Sequence, residues 1–275
     1  MNIDEIILNA LREDIGTGDI TTLSTIPPDK LARGRFIAKE AGVICGLEVC
    51  GRVFGLLDAS TEFKASKADG GKADAGEIIA EIAGNARSLL TGERTAVNIL
   101  QRMSGIATLT AGFAAQVAGT RAKIADTRKT CPGMRVLDKY AVKAGGGINH
   151  RFSLADGILI KDNHIAAAGG IRQAVASARA NAPFTLKIEV ECQSMGDVRE
   201  AVGAGADIIM LDNMRAADMK ECVDYIAGRA LVEASGNMDA KDLREVAAAG
   251  VDIISIGALT HSVRILDISL DLFQS

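Results

Sequence analysis

Residues 186–257 decide the fold, because they contain four short apolar segments in regular succession: Leu186-Lys-Ile-Glu-Val-Glu191, Asp207-Ile-Ile-Met-Leu-Asp212, Ala230-Leu-Val-Glu-Ala-Ser235 and Val251-Asp-Ile-Ile-Ser-Ile-Gly257. Each segment is short and apolar and ends in a polar residue or a glycine, as a buried strand does. The segment ends follow one another at steps of 21 to 23 residues. That step fits a strand and a helix joined by short loops.

An internal repeat supports this interpretation. Arg199-Glu, Gly205 and Asp207-Ile-Ile recur 45 residues later as Arg244-Glu, Gly250 and Asp252-Ile-Ile. Two earlier apolar segments, Lys123–Asp126 and Gly157–Lys161, bring the number of strands that can be identified to six. Repeated strand–helix units need parallel strands with right-handed crossovers, so the sequence predicts a closed or nearly closed α/β barrel. The alternative is an open doubly wound sheet, but no Gly-x-Gly-x-x-Gly follows a strand to support it.

The first part of the chain has a different pattern. Residues 2–14 carry the apolar stripe of an amphipathic helix, and residues 34–82 contain short β-like segments around glycines. Strands without long helices between them predict an antiparallel or mixed sheet. Two helical runs follow at about 88–103 and 107–118, which Ser104-Gly105 is expected to separate.

Composition narrows the classes of function. The 275 residues are 48% apolar but only 3% aromatic with no Trp, which predicts a core of Ala, Ile, Leu and Val. The net charge of −4 argues against nucleic acid or an anionic membrane as partner. Five cysteines without a Cys-x-x-Cys pair, and a first segment that does not resemble a signal peptide, predict a reduced cytoplasmic protein.

A cluster of cations lies within residues 126–164 of this acidic chain. The three segments concerned are Asp126-Thr-Arg-Lys-Thr-Cys-Pro-Gly, Gly145-Gly-Gly-Ile-Asn-His-Arg151 and Ile158-Leu-Ile-Lys-Asp-Asn-His-Ile165. They contribute Arg128, Lys129, Arg151 and Lys161, in glycine-rich turns or directly after apolar strands. Fixed positive charge in a cleft of an acidic protein predicts a small, strongly anionic ligand.

Polar residues also follow the later strands. In a barrel the carboxyl ends of the strands form the active-site face, and loops after late strands bind phosphate through backbone N–H groups. Ser235-Gly236 and Gly257 have the small residues that let a phosphate approach the backbone. Glu191 and Asp212 are candidates to hold a divalent cation or to meet sugar hydroxyls.

Other interpretations stay open at this point. A single Asp or Ser after a strand is as often a helix cap as a functional group. His164 and His261 are expected to be structural. Lys161 could form a Schiff base in an aldolase-type barrel, or the chain could be a phosphosugar-binding barrel without catalytic activity.

Long motifs throughout the chain resemble one family. They are Glu13-Asp-Ile-Gly-Thr-Gly-Asp-Ile-Thr-Thr, Gly92-Glu-Arg-Thr-Ala-Val-Asn98, Thr127-Arg-Lys-Thr, Lys139-Tyr-Ala-Val, Gly145-Gly-Gly, Asn149-His-Arg151, Leu159-Ile-Lys-Asp-Asn-His164, Glu189-Val-Glu191, Leu211-Asp-Asn213, Glu233-Ala-Ser-Gly236 and Gly257-Ala-Leu-Thr-His-Ser262. The chain resembles the nicotinate-nucleotide pyrophosphorylases, also called quinolinate phosphoribosyltransferases.

The resemblance implies a reaction and an architecture. The reaction moves a phosphoribosyl group from phosphoribosyl pyrophosphate to quinolinate, with loss of CO₂, and gives nicotinate mononucleotide and pyrophosphate in NAD synthesis. The fold would be an N-terminal α/β sandwich over residues 1–105, joined by the tail at 264–275, and an incomplete α/β barrel over residues 106–263. The implied assembly is a homodimer with shared active sites, or a hexamer built from dimers.

The resemblance also assigns residues. Quinolinate would be surrounded by Arg128, His150, Arg151 and Lys161, with Arg94 from the neighbouring subunit. Phosphoribosyl pyrophosphate and its Mg²⁺ would face Lys129, Glu191, Asp212, Ser235, Gly236 and Gly257, and Glu191 and Asp212 would act on the Mg²⁺ directly or through the substrate. Lys129, Lys161, Glu191 and Asp212 would be catalytic. Two positions depart from the family pattern: Asn237 replaces a usual Gly, and Ile148 replaces a common His. A relative that accepts nicotinate itself is the nearest alternative.

Overall fold

The computed structural model describes residues 2–273 and divides into two compact units. The first comprises the chain up to Ala111, Thr130–Gly146 and the segment from Ser262 onward, and the second comprises Gly112–Lys129 and Gly147–His261. Residues 130–146 group with the first unit, although they lie between two segments of the second in the chain. None of the helices in the described range is long and apolar enough to cross a membrane.

The elements are numbered here in chain order. They are α1 (Ile3–Ile15), α2 (Ile20–Thr25), β1 (Leu31–Ala38), β2 (Gly42–Val43), α3 (Leu47–Leu57), β3 (Glu62–Ala65), β4 (Lys72–Ala73), β5 (Ile78–Asn85), α4 (Ala86–Gln116), β6 (Lys123–Ala125), α5 (Arg135–Ala144), β7 (Ile158–Ile160), α6 (Asp162–Ala168), α7 (Ile171–Asn181), β8 (Ile188–Cys192), α8 (Met195–Ala204), β9 (Ile208–Asp212), α9 (Ala216–Ile226), β10 (Leu231–Ser235), α10 (Leu243–Ala248), β11 (Ile253–Ser255), α11 (Ala258–His261) and β12 (Ile268–Phe273).

The first unit is built on an antiparallel sheet in the order β12-β1-β5-β3. Phe36 of β1 is fully buried and packs edge-on against Phe54 of α3 and Phe63 of β3, with ring centroids 6.1 and 5.7 Å apart. The predicted antiparallel sheet is therefore confirmed, and the last strand of the chain completes it. Helix α3 was not predicted, although its apolar residues follow a helical stripe from Leu47 to Phe54.

The two predicted helices around Ser104-Gly105 are one continuous helix, α4, so that expectation is wrong. Gly105 lies inside the helix although glycine weakens a helix by roughly 0.5–1 kcal/mol relative to alanine. The reason is steric. A Cβ atom at Gly105 would lie 2.2 Å from the carbonyl oxygen of Arg264, so only glycine lets the C-terminal segment pass this close.

The second unit contains a parallel sheet whose strands, in the described part of the chain, follow the order β6-β11-β10-β9-β8-β7. The first strand, β6, pairs with the last, β11, as the closure of a barrel requires. On its other side β6 makes only a single bridge, from Ala125 to Ile148, and does not pair with β7. The predicted incomplete α/β barrel is confirmed.

The repeated aspartates have a structural role. Asp207 Oδ2 accepts the N–H of Ile188 at 2.8 Å, and Asp252 Oδ2 accepts the N–H of Val232 at 2.9 Å. Each aspartate therefore holds the beginning of the neighbouring strand in register, β8 for Asp207 and β10 for Asp252. This explains why Asp-Ile-Ile recurs after two strand–helix units.

Candidate active site

A cleft of about 660 Å³ lies at the carboxyl ends of the barrel strands in the second unit. Its lining includes every predicted site residue except Arg94: Arg128, Lys129, His150, Arg151, Lys161, Glu191, Asp212, Ser235, Gly236 and Gly257. Arg94 lies on α4 of the first unit. A smaller cavity of about 440 Å³ in the first unit is lined mainly by apolar side chains. The arginine that lines this smaller cavity, Arg52, is already paired with Asp4, so the barrel cleft is the better site for an anion.

Two arginines, Arg128 and Arg151, line the cleft. Burial lowers the pKa of Arg151, and the positive charge of Arg128 lowers it further. The Arg151 guanidinium is thus held where its positive charge is costly, and a carboxylate beside it would remove that cost. Arg151 Nη1 donates to the carbonyl oxygen of Gly157 at 2.8 Å, which fixes the side chain while leaving most of its donors for a ligand.

Lys129 is positioned by the loop that follows β6. Its N–H donates to Thr127 Oγ1 at 3.1 Å, and its carbonyl oxygen accepts the hydroxyl of Thr260 at 2.8 Å. The Lys129 stem also lies close to Gly257, where an added Cβ would approach Lys129 Cδ at 3.1 Å. The lysine is therefore held beside one of the two predicted phosphate-binding glycines.

Lys161 forms an ion pair with Glu191 across the ends of β7 and β8. The backbone N–H of Lys161 donates to His164 Nδ1 at 3.0 Å, so His164 has the structural role that was expected of it. An ammonium paired with a carboxylate is not the free amine that a Schiff-base lysine needs. The geometry therefore favours a role for Lys161 as a fixed charge.

His150 lies over two buried glutamates. Its Nδ1 accepts the N–H of Arg151 at 2.8 Å, so the ring proton is on Nε2. Nε2 lies 3.1 Å from Glu189 Oε2 and 3.6 Å from Glu233 Oε2. The backbone N–H of His150 donates to the buried Asp126 at 2.9 Å. Both ring nitrogens are thus directed to protein atoms, a geometry that the sequence did not reveal.

The loop after β10, predicted to bind phosphate, is hydrogen-bonded to the end of β9. Gly236 has φ +89°, and a Cβ there would lie 2.4 Å from Asn213 Oδ1, so the position needs glycine for both reasons. Asn237 has φ +52°, and its Nδ2 donates to Asn213 Oδ1 at 3.1 Å. Asn213 Nδ2 in turn donates to Asp212 Oδ2 at 3.0 Å. Asparagine tolerates the left-handed region better than most residues, which explains how it replaces the expected glycine.

Glu191 and Asp212 lie at the ends of the adjacent strands β8 and β9 and fit a role with Mg²⁺. One carboxylate contacts Lys161 and the other Asn213, and each keeps oxygen atoms for a cation or its water. Mg²⁺ commonly binds through one or two carboxylates and the phosphates of a substrate. Among the described residues, a different set of side chains has its ligand atoms close enough together to share one metal ion: His150, Glu189 and Glu233.

Several cleft residues were not identified as functional from the sequence. They are Thr127, Asn213, Glu233, Ser255 and His261, and the last of these had been expected to be structural. Alternation along β10 could have revealed Glu233, because it lies two residues before Ser235 and so faces the same side of the strand. Thr127, Asn213 and His261 lie in motifs of the family resemblance, whereas Ser255 lies in none of them.

The fold and the cleft define a class: an α/β-barrel protein with a cation-lined cleft at the carboxyl ends of its strands. The family models for the N-terminal and C-terminal domains of quinolinate phosphoribosyl transferase match residues 19–104 and 106–271. The chain belongs to the quinolinate phosphoribosyl transferase family.

Individual relatives agree with this assignment. The chain is 43% identical over its whole length to a probable nicotinate-nucleotide pyrophosphorylase [carboxylating] of Bacillus subtilis, of which it covers 95%. The structure of NadC from Streptococcus pyogenes is 45% identical, with a TM-score of 0.95 over 98% of this chain and 96% of that one. A nicotinate-nucleotide pyrophosphorylase from Francisella tularensis is 38% identical, with a TM-score of 0.94 over 99% and 98%. The resemblance stated from the sequence is confirmed.

Proposed function

We propose that the barrel cleft transfers a phosphoribosyl group from phosphoribosyl pyrophosphate to quinolinate with decarboxylation, which makes this chain a pentosyltransferase of NAD biosynthesis. The observation that carries this function is the pair of guanidiniums in the cleft, where burial and the charge of Arg128 lower the pKa of Arg151. A dicarboxylate relieves that unfavourable arrangement. The names of the relatives support the same reaction.

The arginines orient quinolinate. A guanidinium can grip a carboxylate with two parallel hydrogen bonds, and quinolinate presents two adjacent carboxylates. Lys161 adds a positive charge at the edge of the same cleft, next to Glu191. Together these groups would hold the ring nitrogen toward the ribose carbon that it attacks, so that orientation supplies much of the catalysis.

Lys129 and the strand-end carboxylates serve the other substrate. Breaking the bond between ribose and pyrophosphate places positive charge on the ribose carbon and negative charge on the leaving group. Lys129, beside Gly257, would stabilise the leaving pyrophosphate. Glu191 and Asp212 would hold Mg²⁺, which when bound offsets the same negative charge. The 5′-phosphate would bind the backbone of the Ser235-Gly236 turn.

A nicotinate-specific enzyme is the second candidate function. Nicotinate has one carboxylate, which a single guanidinium can satisfy, whereas the acceptor side of this cleft brings together two arginines, Arg128 and Arg151. With one carboxylate bound, some of that positive charge would remain without an anionic partner. The cleft therefore favours the dicarboxylate.

A homodimer with shared active sites, which could assemble further into a hexamer, completes the proposal. Arg94 belongs to the first unit, and the resemblance assigns it to quinolinate in the cleft of the neighbouring subunit. A two-fold dimer would exchange this residue reciprocally. We also propose that the enzyme works in the cytoplasm, since all five cysteines are free thiols and burial raises the pKa of the Cys45, Cys50 and Cys192 thiols.

One assay tests the function. Purified enzyme is supplied with phosphoribosyl pyrophosphate and Mg²⁺ and either quinolinate or nicotinate, and nicotinate mononucleotide and CO₂ are measured. We expect product and CO₂ from quinolinate and little product from nicotinate. Equal or faster use of nicotinate would refute the proposed acceptor, and no product from either would refute the reaction.

A further inference from the structure

The proposed reaction requires a proton donor at carbon 2, and none of the roles assigned above supplies one: Lys129 is assigned to the leaving pyrophosphate, and Lys161 is ion-paired with Glu191. When the carboxylate leaves carbon 2 of the ribosylated ring as CO₂, the bonding electron pair stays on carbon 2. That carbon must then take a proton to give nicotinate mononucleotide. The arginines of the cleft do not release protons in proteins, and His150 directs its ring N–H toward Glu189. The inference below rests on the proposed function.

Glu233 is a buried carboxyl group that faces this cleft. It lies on β10 two residues before Ser235, is only 1% exposed, and is part of the cleft lining. Its Oε1 is buried and has no hydrogen-bond partner. A buried polar atom without a partner is costly, and such atoms in native structures call for an explanation. A proton on this oxygen that is transferred to the substrate would explain why it has no partner in the ligand-free protein.

The surroundings of Glu233 favour its protonated form at neutral pH. Burial and the negative charge of Glu189 raise the pKa of Glu233 to about 7, against the opposing effects of His150, the Ser255 hydroxyl and Lys161. On the adjacent strand β9, the residue paired with Glu233 is Met210, which carries no charge. The negative charge of Glu189 is the largest of these electrostatic influences, so the protonated form of Glu233 is present at neutral pH.

We propose that Glu233 is the acid that protonates carbon 2 after decarboxylation. The bond between carbon 2 and the carboxylate carbon breaks reversibly, and CO₂ takes no bonding electrons with it. The carbanion recaptures CO₂ unless it is protonated, so net CO₂ release depends on the proton. The electron pair left on carbon 2 forms the new C–H bond with the Glu233 proton, and the O–H bond of Glu233 breaks to leave a carboxylate. Water returns a proton to Glu233 before the next turnover, so one proton is consumed per CO₂ released at this step.

Glu189 and His150 would then be positioning residues. Glu189, 3% exposed, holds the Nε2 proton of His150 and keeps a negative charge next to Glu233. His150 is thereby kept in one tautomer with Nδ1 on the Arg151 N–H. This arrangement joins the proton donor to the loop that carries a quinolinate-binding arginine.

The test separates the two chemical steps in a single turnover, measuring pyrophosphate and CO₂ from enzyme, quinolinate, phosphoribosyl pyrophosphate and Mg²⁺. Glu233→Gln keeps the shape of the side chain but has no acidic proton. We expect its pyrophosphate burst to stay near that of the wild type and its CO₂ release to slow by about a hundredfold or more. The control is Glu221→Gln, an exposed change on α9, which should alter neither step.

The wild-type enzyme supplies a second measurement that does not depend on the folding of a variant. Because Glu233 must be protonated, the rate of CO₂ release should fall as pH rises above about 7, roughly tenfold per pH unit, while the pyrophosphate burst does not fall with it. A rate of CO₂ release that is flat from about pH 6 to about pH 9 would overturn the role of Glu233. So would a Glu233→Gln variant in which both steps keep wild-type rates or slow together. A wild-type enzyme that releases neither product would instead refute the proposed function.

Discussion

Replacing Arg151 by methionine should abolish efficient use of quinolinate without weakening the fold. Burial and the charge of Arg128 lower the pKa of Arg151, so the folded chain carries this positive charge less favourably than the unfolded chain does. The cost is present at every pH below the lowered pKa, which includes the physiological range. Methionine keeps most of the apolar stem and removes the charge. The electrostatic cost of Arg151 in the folded chain therefore disappears, which should raise the free energy of unfolding.

The loss in catalysis can be estimated from the hydrogen bonds. Arg151 uses one N–H on Gly157, and its remaining donors suffice for a two-bond contact to a carboxylate. A hydrogen bond to a charged group contributes about 1.5–3 kcal/mol, so losing the contact should cost about 3 kcal/mol of transition-state binding. That corresponds to a decrease of about a hundredfold in kcat/KM. Arg151→Lys keeps the charge but loses the planar guanidinium, so its kcat/KM should lie between those of the wild type and Arg151→Met.

The assay varies quinolinate at saturating phosphoribosyl pyrophosphate and Mg²⁺, and denaturant unfolding of the ligand-free protein is measured in parallel. The matched control is Arg215→Met in the same unit, which removes an exposed arginine paired only with Asp218 and should leave kcat/KM unchanged. Near-wild-type kcat/KM in Arg151→Met would refute the assignment. A large loss of ligand-free stability would refute the argument that the arginine is held against an energetic cost.

Other changes probe the second substrate and the assembly. Glu191→Gln and Asp212→Asn should weaken the binding of Mg²⁺–phosphoribosyl pyrophosphate in calorimetry and leave the KM for quinolinate nearly unchanged; unaltered binding in the double variant would contradict their role with Mg²⁺. Asn237→Gly keeps the left-handed backbone but loses one side-chain hydrogen bond, so the KM for phosphoribosyl pyrophosphate should rise by about fivefold, which is about 1 kcal/mol. Mixing Arg94→Ala with Lys161→Ala should restore roughly a quarter of wild-type activity after subunit exchange, since half of the dimers are mixed and each has one intact site; activity that stays at the level of the separate variants would place Arg94 in its own subunit's site.

The barrel and the position of its cleft could be predicted because they depend on patterns that repeat. Apolar strands at regular steps specify the parallel sheet, and parallel strands bring their carboxyl ends to one edge. The sequence pattern therefore predicts that Ser235, Asp212 and Glu191 share one cleft, as they do. The catalytic assignments that go beyond this placement came from the resemblance and remain predictions.

Other features could not be predicted, because they depend on contacts between residues far apart in the chain. Ser104-Gly105 has the composition of a helix break, yet the helix continues because the carbonyl of Arg264 needs the space that a glycine leaves. Similarly, nothing local indicates that His150 would turn toward Glu189 and Glu233. Local propensity is a weak influence when a tertiary contact competes with it.

Asn237 shows how a departure from a family pattern can preserve a site. A glycine there would supply the left-handed conformation at no steric cost, but it would leave Asn213 Oδ1 without the hydrogen bond it receives now. Because a carboxylate can only accept, Asp212 fixes the direction of the whole chain of hydrogen bonds, from the amide of Asn237 to Asn213 and from Asn213 to Asp212. The substitution therefore exchanges backbone freedom for a brace between the phosphate loop and the carboxylate proposed to act with Mg²⁺. Asparagine can fill both roles, since its short amide side chain tolerates the positive φ and still reaches the neighbouring strand.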